Sequence, residues 1–133
     1  MDPLNSLKDI KIKNVNRLLI GQININSLRN KFEALKMLVI GNLDILIITE
    51  TKLDESFPVD QFNIDGFCTP YRLDRNINGG GIMIYIRDDI ANKEVRSQTV
   101  TIDLEGIFVE INLRKKKWLL FAGYNNTKPN ITN

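Results

Sequence analysis

Residues 43–52 read Leu43-Asp44-Ile45-Leu46-Ile47-Ile48-Thr49-Glu50-Thr51-Lys52, a run of aliphatics that stops at a single acid. A segment as apolar as Ile45 to Ile48 is expected to be covered on both faces, as in a sheet packed inside a layered domain. Ligands and metals bind at the strand ends of such sheets, because side chains emerge there from a rigid support. Glu50 is therefore a candidate metal ligand. The alternative is that it only opens a polar loop.

Working outward, Arg17–Ile25 predicts a strand and Ser27–Ile40 a helix. In the helix, Leu28, Phe32, Leu35 and Val39 recur at spacings of four, three and four, one apolar stripe. Gly41 and Asn42 supply its stop. With Leu43–Thr49 as the next strand, the opening unit is strand–helix–strand, and a parallel right-handed crossover is expected. Beyond it, residues 54–65 read as loop and Phe67–Leu73 as a short strand. Asn76–Gly81 is a turn needing positive φ, Ile82–Ile86 a buried strand, Arg87–Ala91 a helical turn or loop, and Val95–Ile102 a β segment. Ile107–Leu113 and Trp118–Tyr124 predict a hairpin around Arg114–Lys117. Residues 1–16 have no clear period and read as a loose lead-in to a domain over 17–133. A mixed sheet of about six strands with one long amphipathic helix leaves a whole face bare, so the chain is expected to be part of a domain.

The composition is globular, with 43% hydrophobic and 26% charged residues, and its length suits one domain. A net charge of +2 permits a polyanionic partner without demanding one. The lone Cys68 excludes an intramolecular disulfide, points to a reducing compartment and reads as a packing residue. Asp2, Lys8 and Asp9 break any secretory signal, and no segment approaches the ~18–20 apolar residues of a membrane span. An intracellular chain, nuclear or cytoplasmic and without membrane contact, is expected. The sequons Asn125-Asn126-Thr127 and Asn130-Ile131-Thr132 then read as chance matches. The chain has no histidine, which removes histidine bases, Ser-His-Asp and Cys-His mechanisms and Cys/His zinc sites.

Asn24 interrupts an aliphatic strand, where an amide needs a specific partner. If the first two strands are parallel neighbours, Asn24 and Glu50 emerge at one edge. Asn26 either caps the helix or meets a phosphate oxygen beside the free N–H groups of the first turn. Arg114–Lys117 with Trp118 reads as a solvated hairpin tip in preference to a nucleic-acid patch. Gly79-Gly80-Gly81 lacks the Gly-Lys-Ser/Thr ending of a nucleotide loop. Arg72 and Arg75 could touch a phosphate backbone.

The segments Asn24-Ile-Asn-Ser-Leu-Arg29, Leu43–Lys52, Phe57-Pro58, Tyr71–Arg75, Gly79–Ile82 and Lys117–Tyr124 together resemble the endonuclease/exonuclease/phosphatase superfamily. They are most similar to the apurinic-like endonuclease domain of LINE-type (non-LTR) retrotransposons. The resemblance runs from about Leu18 to the C-terminus. It implies an α/β fold, the N-terminal half of a four-layer α/β sandwich, with one mixed sheet, one main helix and an incomplete second sheet. It further implies Mg²⁺-dependent nicking of DNA, with Glu50 as metal ligand, Asn24 as the active-site asparagine and Tyr124 as hydrogen-bond donor to the scissile phosphate. Asn26 lies where the family often has an acid or asparagine. The family's later Asp-x-Asn and Asp-His elements have no counterpart here, and Asp74-Arg75-Asn76 matches the former in letters only. A proline that follows the tyrosine closely in the family is delayed to Pro129. The resemblance thus implies an endonuclease half that lacks its C-terminal partner half and a downstream reverse transcriptase, and is inactive alone. The alternative is a non-catalytic DNA- or protein-binding remnant. A phospholipid or inositol-phosphate substrate is disfavoured by the retroelement-like phrasing of residues 50–91.

Overall fold

Ile82, Ile84 and Ile86 face one way in a central strand and Met83 and Tyr85 the other, and all five are buried. The layering follows from that alternation. A computed structural model describes residues 3–101 and 104–125, with side chains for 5–93, 95 and 106–123. The elements are α1 (Pro3–Lys13), β1 (Ile20–Asn24), α2 (Phe32–Val39), β2 (Ile45–Thr49), β3 (Tyr71–Leu73), β4 (Ile82–Ile86), β5 (Ala91–Thr101), β6 (Leu104–Leu113) and β7 (Lys116–Asn125). Strands β1-β2-β4-β3 form a mixed four-stranded sheet, in which β1 and β2 are parallel and β4 runs antiparallel to β2 and β3. Strands β5-β6-β7 form a second, antiparallel sheet.

One core lies between the first sheet and α2, where Leu35 and Val39 meet Leu46, Ile48, Met83 and Tyr85. The other lies between the sheets, where Ile45, Ile82, Ile84 and Ile86 meet Ile107, Val109 and Ile111. Each fully buried aliphatic contributes roughly 1.5–3 kcal/mol. The architecture is the expected α/β one of a mixed sheet, one main helix and a second sheet. The single sheet of about six strands is corrected, because β5–β7 fold back over the first sheet instead of extending it. The face expected to be bare is covered.

Several element boundaries also differ: β3 is shorter, Tyr71–Leu73 instead of Phe67–Leu73, β5 starts at Ala91 instead of Val95, and three differences have a visible cause. The lead-in is not loose, since Pro3–Lys13 is helical and tied down by an ion pair from Lys11 Nζ to Asp44 Oδ1 at 3.3 Å. The main helix starts at Phe32 instead of Ser27, because the Ser27 and Leu28 amides donate to Glu50 and Thr51 carbonyls at 2.9 and 3.0 Å. The hairpin turn narrows to Arg114 and Lys115, both at positive φ (52° and 65°), the pattern that matches strand twist in two-residue turns. Arg114 Nη2 donates to the Asn16 carbonyl at 2.7 Å, which holds that turn beside the entry to β1.

At the end of the first sheet where β2 begins, Asp44 is 2% exposed and accepts from the Leu19 amide, Lys11 and Arg87. It joins α1 to the entry of β1, the start of β2 and the end of β4. Among the described residues, no helix is long and apolar enough to cross a membrane. The two sequons, apart from the backbone of Asn125, and Pro129 lie outside the described residues.

Candidate functional site

At the opposite end of β1 and β2, the parallel register pairs Asn24 with Thr49, so Glu50 emerges beside Asn24 as expected. The ladder continues past both strands, with the Ile25 amide donating to the Thr49 carbonyl at 3.0 Å. The Ser27 and Leu28 amides then pin Glu50 and Thr51 from one side. From the other side, the Lys52 amide donates to the Gly80 carbonyl at 3.0 Å. Glu50 is thus clamped between the β1–α2 connection and the glycine turn before β4.

The clamp strains the backbone. Asn26, Ser27, Glu50 and Lys52 have φ of 47°, 83°, 55° and 55°. The other two non-glycine residues at positive φ among the described residues are those of the β6–β7 turn. Each such residue costs roughly 1–2 kcal/mol, less for asparagine. Gly80 and Gly81 complete the cluster at 72° and 101°. Strain gathered at one sheet edge is a mark of a functional site.

Among the described residues the Glu50 carboxylate has no hydrogen-bonding or ionic partner. Asn24 is exposed, and its Oδ1 accepts from the Asn26 amide at 3.1 Å, which leaves its NH₂ without a partner among the described residues. Asn26 does not cap α2, whose cap position is Lys31. Its Oδ1 instead accepts from Lys52 Nζ at 2.6 Å. The free first-turn amides expected beside it are absent, because Ser27 and Leu28 donate across the edge. Lys31 Nζ donates to the carbonyls of Ile25 and Asn26 at 2.8 and 2.9 Å. Arg75 lays its stem over Gly80 and is exposed, with no partner for its guanidinium among the described residues.

Arg72 is not available to a phosphate. Its guanidinium donates to the carbonyls of Asp54, Phe57 and Pro58 and to both oxygens of Asp74, so it clamps the 54–58 loop. In that loop the Ser56 hydroxyl and amide hold the Asp54 carboxyl below its ordinary value. Asp74-Arg75-Asn76 is no catalytic triplet, since Asn76 Oδ1 accepts from the Asn78 amide within its own turn. Tyr124 sits opposite Glu105 near the end of β7, and its side chain lies outside the described residues.

Three residues escaped individual notice in the sequence. Lys52 and Lys31 supply positive charge beside Glu50, and the signal for Lys52 was its place two residues past the acid at a strand end. Thr51 is fully buried with an unpartnered hydroxyl against Gly81. Among the described residues, no group of three Asp, Glu or Cys gathers to hold a metal. The Glu50 carboxylate alone still fits Mg²⁺, which is commonly bound through one or two carboxylates with water and phosphate oxygens.

No family model matches the chain, and no curated protein matches it. Among solved structures it is similar to the 3'-5' exonuclease NExo from Neisseria meningitidis, with a TM-score of 0.51 and 19% identity. The match covers 75% of this chain and 39% of that one, so the chain spans less than half the length of the enzyme it matches. At this identity the likeness is one of fold. Over three quarters of its length, the chain shares the fold of that protein.

Proposed function

We propose that this chain carries the first part of a Mg²⁺-dependent phosphodiester-hydrolysing site of the retroelement endonuclease type, directed at DNA and inactive without further residues. The observation that carries the reading is Glu50, an unpartnered carboxylate clamped at φ 55° beside Asn24 at the end of a parallel strand pair, in a nuclease fold. Glu50 would hold the metal and Asn24 would donate from its NH₂ to a phosphate oxygen. Lys52 and Arg75 supply positive charge for the polyanion, and Tyr124 takes the role of phosphate hydrogen-bond donor. A bound Mg²⁺ would polarise a phosphoryl oxygen. With no histidine in the chain and no group of three acids gathered among the described residues, the site as proposed has no assigned group to take a proton from water. The partner this implies is the remainder of the nuclease domain.

Two readouts test this. The chain should fail to nick supercoiled plasmid in Mg²⁺, yet Mn²⁺ should broaden the NMR signals around residues 24–27 and 50–52, an effect lost in Glu50→Ala. Nicking by the chain itself would overturn the inactivity, and broadening that survives Glu50→Ala would overturn the metal site. The second reading, a non-catalytic DNA-binding module, is favoured by Lys31, Lys52 and Arg75 around one edge. It requires DNA affinity that falls with salt and ignores both Mg²⁺ and Glu50→Ala.

A further inference from the structure

The hydrogen bond from Arg114 Nη2 to the Asn16 carbonyl joins two stretches that lie 98 positions apart in the chain. One is residues 8–17, with Lys8, Lys11, Lys13 and Arg17 against Asp9, and the other is Arg114-Lys115-Lys116-Lys117. Eight cations against one acid give a net +7 in a chain whose net charge is +2, so the remaining residues carry −5. Adding Arg87 with Asp44, Asp88 and Asp89, at the same end of the first sheet, still leaves +5. The positive field therefore gathers where β2 begins, at the far end of that strand from Glu50, roughly 20 Å away at the usual rise per residue.

At the centre of this end is a cavity of about 180 Å³ lined by Lys11, Arg17, Arg87, Arg114 and the buried Asp44. Asp44 sets two of the cations in place, since Lys11 and Arg87 donate to its Oδ1, and the Leu19 amide takes Oδ2. Donors remain around it. Arg87 spends Nε on Asp89 and Nη1 on Asp44, which leaves Nη2. Lys11 uses one of its three N–H bonds. Arg17 is exposed and has no partner among the described residues. Guanidinium groups match the oxygens of a phosphate two at a time and are more weakly hydrated than an ammonium. Three of them around a cavity of this size suit one phosphate group, and Lys13 with Lys115 to Lys117 suit its neighbours along a strand. Alone, the hairpin tip reads as a solvated turn. Lys11, Arg17 and Arg87, brought to it by the fold, change that reading.

We propose that this end of the molecule is a second nucleic-acid-binding surface, separate from the Glu50 edge, which holds a strand that is not cut, with one backbone phosphate in the cavity above Asp44. The proposal is independent of both the metal site and the nuclease reading. Contacts to phosphates position a strand without reading its bases, so binding here is indifferent to sequence.

The test is the affinity of the full chain for a labelled DNA strand of ~12 nucleotides, within the span of single-strand sites. It is measured by fluorescence anisotropy in EDTA over a range of salt. Binding should persist without Mg²⁺ and in Glu50→Ala. Arg17→Gln combined with Lys116→Gln changes two exposed residues without partners among the described residues. The pair should weaken binding about tenfold and flatten the slope of log affinity against log salt by roughly 1–2. Lys36→Gln, which removes one charge from α2, should leave both as they were. On the unsubstituted chain, DNA should shift the NMR signals of residues 11–18, 44, 87 and 114–117, a readout that needs no variant. Absence of binding in EDTA overturns the proposal. So do shifts confined to residues 24–27 and 50–52, which would place the strand on the Glu50 edge, and a double variant that binds as before. Preference for vesicles of anionic phospholipid over DNA, lost in the same double variant, overturns it as well and would make this end a membrane-facing one.

Discussion

Glu50 is held at φ 55°, where an L-residue with a Cβ loses roughly 1–2 kcal/mol against its ordinary conformations, and its carboxylate gains no partner among the described residues in return. The fold tolerates this residue at a local loss in stability, as expected where a side chain is kept for binding. Glu50→Gly should therefore raise stability by about 0.5–1 kcal/mol in denaturant unfolding while removing metal-induced NMR broadening. A variant that is less stable would mean that Glu50 is kept for packing. Gly81 is the reverse case. A Cβ there would sit 2.2 Å from Thr51 Oγ1, and φ is 101°. Gly81→Ala should cost about 2–3 kcal/mol in the same measurement, since both the clash and the strain oppose it. The sequence made Glu50 and Asn24 legible because a polar residue at the end of an aliphatic run stands out. The strain was not legible, since it arises from hydrogen bonds between segments some 25 residues apart, such as Ser27 to Glu50.

At the scale of elements, buried strands were read best. Ile82–Ile86 has the predicted bounds, because five consecutive apolar residues after a glycine turn admit few other structures. The first helix was missed because its sequence has no clean apolar stripe. Ile10 and Ile12 remain exposed, and the helix is anchored instead by Lys11 on Asp44. That contact spans 33 positions and could not be read locally. Asp44→Ala should cost about 2–3 kcal/mol, because it removes the acceptor of the Leu19 amide and of two cations at once, although both cations can still reach water. Circular dichroism at the helical band should show α1 melting before the sheets in this variant. Two exposed carboxylates elsewhere add to the acid dependence. Arg87 holds Asp89 below its ordinary value of 3.8, and Ser56 does the same for Asp54. Their contributions are present above the unfolded value and are lost as pH falls through the lower folded ones. Thermal stability should therefore decline below about pH 4 and stay flat between about pH 5 and 8, where a chain without histidine has no ordinary side chain to titrate. A melting temperature that changes across the neutral range would contradict this.

For the whole molecule, the sequence indicated that the first sheet needed cover on both faces but not where that cover came from. Strands β5–β7 read equally well as an extension of one sheet, because alternation along a strand shows that a face is buried without naming its partner. The fold supplies the answer through β4, which turns Ile82, Ile84 and Ile86 toward the second sheet and Met83 and Tyr85 toward α2. One strand belongs to both cores, so neither can melt and leave the other intact. Leu35→Ala beneath the helix and Ile107→Ala between the sheets should each cost about 2–4 kcal/mol. Their effects should add in the double variant, since the two sites lie on opposite faces of the sheet and share no contact. Fluorescence of Trp118, on the second sheet, and circular dichroism of the helices should trace one coincident transition in these two single variants and their double. Separate transitions would mean that the second sheet is a dispensable cover, and that the strained edge bearing Glu50 is supported by the helix-side core alone.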